Sequence, residues 1–132
     1  MDIEKVFIEL ESTAAGTDQD AFSPFVHSSG GRWQPTKATL SPKTTDAADA
    51  TNHAVAKLYV NDGAAGSFAQ LGATAGIVGT TAFTEGTNRD FVLAGEATVT
   101  DGACFKLEKT EGGTGGVAHW SVCVELRKIP AA

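Results

Sequence analysis

Two runs of alternating side chains near the C-terminus constrain this chain more than any other feature. In the first, Phe105 and Leu107 alternate with Cys104, Lys106 and Glu108; in the second, Trp120, Val122, Val124 and Leu126 alternate with His119, Ser121, Cys123, Glu125 and Arg127. A period of two marks a strand with one buried face. Between the runs lies Gly112-Gly113-Thr114-Gly115-Gly116, whose composition is that of a turn. The pattern predicts a long antiparallel hairpin from Ala97 to Ile129 that closes the domain. Centring the turn between Gly113 and Thr114 sets Phe105 opposite Val122, Leu107 opposite Trp120, Lys106 opposite Ser121 and Glu108 opposite His119. Every large apolar residue then shares one face, which a one-residue slip would scramble.

The same register sets Cys104 opposite Cys123 on the polar face. Facing Cα atoms lie about 4.5–5.5 Å apart in a ladder, within reach of a disulfide. A bond is geometrically open, but a cytosolic product keeps its thiols reduced, so free cysteines are expected.

Upstream, Val6, Ile8 and Leu10 alternate with Phe7, Glu9 and Glu11, which gives a first strand with one buried face. Residues 12–20 read as a loop. Pro24 makes the stretch 21–27 an edge strand or irregular chain. Arg32 to Leu40 is a strand anchored by Trp33 and Leu40 and flawed by Pro35. A long loop over 41–51 follows, with room for a helical turn or two in the Ala-rich part from Asp46 to Ala56. His53 to Val60 is a strand, ended by the turn Asn61-Asp62-Gly63. Further short strands are expected at 67–71, 80–84, 89–94 and 98–101. About eight short strands at this spacing, without βαβ alternation, predict one all-β antiparallel sandwich over residues 1–132, with short contact segments at its ends. A chain of 132 residues can bury a core without staples.

The formal net charge of −6 argues against a nucleic-acid partner, which needs a basic face. No apolar run approaches the roughly 20 residues of a membrane span. The start Met1-Asp2-Ile3-Glu4-Lys5 is acidic and lacks the apolar stretch of a secretory signal. Folding in the cytosol, or delivery without a signal, is the expectation.

Catalytic chemistry finds no local support. His27, His53 and His119 stand apart and fit no metal spacing, and Cys104, Cys123 and His119 match no closed zinc pattern. Asp18/Asp20 and Asp46/Asp49 offer too few ligands for calcium. The glycine-rich turn lacks the Lys-Ser/Thr and helix of a phosphate loop. No catalytic residue, cofactor or metal is expected, and the chain reads as a binding or structural protein. Trp33, Trp120 and Tyr59 could form a sugar-stacking platform, although Trp120 fits the core face better.

Taken together, the acidic start leading into Val6-Phe7-Ile8-Glu9-Leu10, the strand Ala56-Lys57-Leu58-Tyr59-Val60 before Asn61-Asp62-Gly63, the segment Arg89-Asp90-Phe91-Val92-Leu93 before Gly95, and the terminal pair of runs resemble the small virion proteins of tailed bacteriophages, especially capsid decoration (cement) proteins. The resemblance is one of general build over most of the chain. It implies a β-sandwich or jelly-roll-like domain on the outer capsid, often a homo-trimer, that clamps neighbouring major capsid subunits and involves neither nucleic acid nor membrane. It carries no catalytic residues. Candidate partner contacts are Val6, Phe7 and Ile8 at the start and Arg127 and Ile129 in the terminal segment. Phe22, Phe25 and Trp33 are partner anchors or, alternatively, cover the open end of the sandwich. Other virion roles, in a tail or head fibre, and a carbohydrate-binding β module are the competing readings.

Overall fold

A computed structural model describes residues 3–11, 18–25, 31–62, 67–100, 102–112 and 118–130. Its strands are β1 (Ile3–Glu11), β2 (Gln19–Pro24), β3 (Arg32–Pro42), β4 (His53–Asn61), β5 (Ala69–Leu71), β6 (Ile77–Val78), β7 (Arg89–Asp90), β8 (Val99–Thr100), β9 (Cys104–Gly112) and β10 (His119–Ile129). There is no helix among the described residues, so the Ala-rich stretch from Asp46 contributes bends and then the start of β4. Of the short strands expected, 89–94 pairs only as Arg89–Asp90, while Ile77–Val78 forms within a stretch that reads as loop.

Two antiparallel sheets result. One has the order β1-β10-β3-β7, with β8 also on β3; the other has the order β2-β9-β4-β5, with β6 also on β4. The first strand thus pairs with the last and the second with the penultimate. β3 and β4 flank those two in turn. This interleaving is the jelly-roll topology, in which the chain keeps crossing from one sheet to the other.

The expected closing hairpin is corrected by this topology. β9 pairs with β2 and β4, whereas β10 pairs with β1 and β3. The two terminal strands do not pair; they lie in opposite sheets with their apolar sides turned to the same core. Phe105 and Leu107 are fully buried from one side, and Trp120, Val122, Val124 and Leu126 from the other. Alternation correctly identifies the buried face. It cannot distinguish a neighbour in the same sheet from a partner across the core, because both arrangements bury that face. Of the glycine-rich turn, Gly113 to Gly116 lie outside the described residues, as does Gly63 of the turn after β4.

The core is one cluster fed by both sheets. Val6, Ile8, Leu10, Ala38 and Leu40 join the β10 residues, facing Ala54, Ala56, Leu58 and Val60 beside those of β9. Each large side chain contributes about 1.5–3 kcal/mol by leaving water. Phe83 closes the core against Trp120, ring centres 5.0 Å apart, and is held there by a backbone bridge to Asp46.

Pro35 proves compatible with a central strand. Leu126 faces Pro35 but Glu125 faces Lys37, so β3 gains one residue, Thr36, at a bulge. Proline cannot donate to a ladder, and a bulge is where its missing N–H is tolerated. The Thr36 hydroxyl donates to the Glu125 carbonyl at 3.3 Å.

Candidate contact surface

The alternation that fills the core leaves the odd-numbered residues of β1 and the even-numbered residues of β2 and β9 on the outer faces. These faces are where binding chemistry can sit. The predicted contacts divide between core and surface. Phe7 and Phe22 are exposed, at 62% and 58%. Arg127 is exposed and Ile129 half-buried. Val6, Ile8, Phe25 and Trp33 are buried in the core, and the structure corrects their assignment as surface contacts. Val6 and Ile8 follow the inward parity of β1. Phe25 and Trp33 pack edge to face at 5.6 Å within the core cluster. Two exposed apolar residues escape sequence reasoning, Ile3 at 51% and Val92 at 69%. Ile3 carries a signal, its shared parity with Phe7; Val92 sits in irregular chain and carries none.

On the outer face of the second sheet, register sets Phe22, Lys106 and Tyr59 side by side on β2, β9 and β4. The Lys106 ammonium lies 4.5 Å from the Tyr59 ring centre and 4.8 Å from that of Phe68. Phe22 packs against Phe68 at 5.9 Å. Glu108 stands 3.8 Å from Lys106 and accepts the Tyr59 hydroxyl at 3.3 Å. Burial, and then the Glu108 charge, push the Tyr59 phenol above its usual range.

On the outer face of the first sheet, Glu9 accepts from the Ser121 hydroxyl and bridges to Lys43 at 3.0 Å. The Ser121 hydrogen bond, followed by Lys43, holds the Glu9 carboxyl below the usual carboxylate range. His119 lies 3.4 Å from Glu11. Phe7 stands beside Cys123, and Thr39 on the next strand donates to Asp90 at 2.7 Å.

Cys104 and Cys123 are both free, and the register that placed them opposite each other is overturned. Cys104 pairs with Pro24 and Asn61, Cys123 with Phe7 and Thr39. Asp49 uses its carboxylate locally, accepting the Thr51 and Asn52 N–H groups at 2.8 Å; these bonds, that from Asn52 first, lower its pKa. Asp46 contributes through its backbone bridge to Phe83. His27 lies outside the described residues. Among the described residues no three His, Cys, Asp or Glu side chains gather as a metal site. A shallow hollow of about 370 Å³ is lined by Gly72, Ala73, Val92, Ala94 and Glu96. There the Glu96 carboxylate is engaged by the Gly72 N–H at 2.7 Å.

No protein-family model, no curated protein and no solved structure matches the chain.

Proposed function

We propose that the chain is a virion structural protein, a decoration protein that binds the outer surface of a major capsid shell and stabilises it. One observation carries this reading. Phe7 and Phe22, 62% and 58% exposed, stand on the edge strands β1 and β2, which lie against each other along one side of the sandwich. Large exposed aromatics on edge strands suit partner anchoring, since aromatic side chains dominate binding hot spots. A jelly roll is compatible with shell proteins, as it is with lectin domains and cupins, so the fold alone does not select among them. The acidic net charge suits a partner with a basic patch.

The test is mass spectrometry of intact particles with copy-number estimates. Decoration requires a copy number comparable to that of the capsid protein. A far lower number means a tail or head-fibre part, and a shell reconstruction without density for this chain removes the reading.

A carbohydrate-binding module is the competing reading, and the geometry counts against it, because Trp33 and Trp120 are buried and leave only the cluster of Tyr59, Phe68 and Phe22. Sugars stack on open ring faces, and Lys106 already lies over two of these rings. Glycan-array binding that Tyr59→Ala abolishes would reinstate it over decoration.

A further inference from the structure

We infer that β1 pairs antiparallel with the β1 of a second copy of this chain, about a two-fold axis at Phe7. The inference goes beyond the shell reading and does not depend on it; of the two exposed aromatics it engages Phe7 and leaves Phe22 for the shell.

An edge strand presents a row of backbone N–H and C=O groups to any strand of matching register, and proteins blunt such edges with short strands, proline or bulges. The other edges among the described residues are blunted. β5, β6, β7 and β8 have two or three residues each, and β2 has six, ending in Pro24. β1 has nine, contains neither proline nor glycine, and keeps an unbroken register with β10 from Ile3 to Glu11.

The outward residues of β1 choose the partner. They read Ile3, Lys5, Phe7, Glu9, Glu11, all exposed. Centring an antiparallel pair on Phe7 sets Phe7 against its own copy and Lys5 against Glu9 of the second chain, twice by symmetry. Aromatic and opposite-charge pairs are favourable directly across a ladder, and like charges are not. Centring on Lys5 or on Glu9 instead sets like charges face to face. The Phe7 register is also the one that engages all of β1, so length and charge select the same alignment. A two-fold contact of this kind uses the same patch on both copies.

Sedimentation equilibrium of the whole chain tests the inference. The parent chain is expected to be a dimer, not the trimer that the resemblance implies. Lys5→Glu sets a carboxylate against the Glu9 carboxylate of the second copy and is expected to weaken the dimer about tenfold or more. Glu9→Lys sets an ammonium group against the Lys5 ammonium of the second copy and should do the same. Each substitution also disturbs its own chain, since Glu9→Lys removes the Lys43 bridge and Lys5→Glu sets a carboxylate opposite Glu125 on β10. The urea midpoint of each variant is therefore measured alongside, and the mixed pair carries the reading. Mixing the two variants restores both opposite-charge pairs, and a heterodimer is expected. A monomeric or trimeric parent, a Lys5→Glu chain as dimeric as the parent, or a mixture that stays monomeric overturns the inference.

Discussion

Cys104 and Cys123 stand on opposite outer faces of the sandwich, each flanked by fully buried neighbours, Ala103 and Phe105 for one, Val122 and Val124 for the other. Packed sheets lie about 10 Å apart, and Cα atoms more than about 7 Å apart cannot be bridged without moving the backbone. The chain is therefore expected to form no internal disulfide under mild oxidant. Thiol counting by alkylation and intact mass checks this, and a loss of two hydrogens without dimer formation would contradict the topology. Burial raises the Cys123 thiol pKa, which lowers its thiolate fraction near neutral pH. Cys123 should then alkylate more slowly in the folded chain than in urea, by peptide mass spectrometry.

Trp120 is 1% exposed and packs against Phe83 with the rings tilted, while Val92 is 69% exposed. Trp120→Ala is expected to cost about 3–5 kcal/mol, the range for emptying an aromatic site in a core. Val92→Ala should stay within about 0.5 kcal/mol of the parent. Urea unfolding followed by circular dichroism measures both. Equal losses would mean that Trp120 does not close the core.

Much of this arrangement is legible in the sequence, and the boundary of what is legible has a physical cause. Parity along β1, β4, β9 and β10 places Ile8, Leu58, Leu107 and Val124 inside and Phe7, Tyr59, Lys106 and Cys123 outside. It does so because each strand sees only two environments. Which strand lies beside which is not local information. The runs of β9 and β10 look like a hairpin because burial of Phe105 and Trp120 is satisfied equally well across the core. The exposed anchors are half legible for a related reason. Phe7 and Phe22 sit on regular strands where parity speaks, whereas Phe25 follows the end of β2, and its burial depends on a backbone exchange with Gly102 and Ala103. Phe91 and Val92 follow β7, where the chain makes one more bond, from Phe91 N–H to Ala38, and then leaves the sheet. That departure buries Phe91 and exposes Val92.

Gly76 and Gly86 both adopt positive φ, +66° and +76°, yet differ in surroundings. A Cβ on Gly76 would overlap the Ala56 carbonyl oxygen, while one on Gly86 meets nothing within 4 Å. Gly86→Ala should cost about 1–2 kcal/mol, the left-handed backbone strain alone. Gly76→Ala adds a collision with a backbone atom of β4 that has no side-chain freedom to yield, and should cost clearly more. Paired denaturant midpoints at unchanged slope measure the difference. If Gly76→Ala were no worse than Gly86→Ala, the close approach of this turn to β4 would be wrong.

The Glu9 carboxylate makes stability depend on acid in a definite direction. Its folded pKa is lowered, first by the Ser121 hydrogen bond and then by Lys43. A lowered folded pKa means that the unfolded chain binds the proton more readily. The contribution is therefore fully present above the unfolded carboxylate pKa, about 4.3. It is lost as pH falls through the lower folded value. The group lies on the surface, where such pairs are worth roughly 0–1 kcal/mol and are screened by salt. Ser121→Ala removes the largest cause without touching the core, since Ser121 points outward between the buried Trp120 and Val122. The variant is expected to lose less stability than the parent between about pH 4.5 and pH 3, with the gap narrowing in high salt. Urea midpoints across that range measure it. Parallel curves for parent and variant would mean that the Ser121 hydrogen bond does not hold the Glu9 charge.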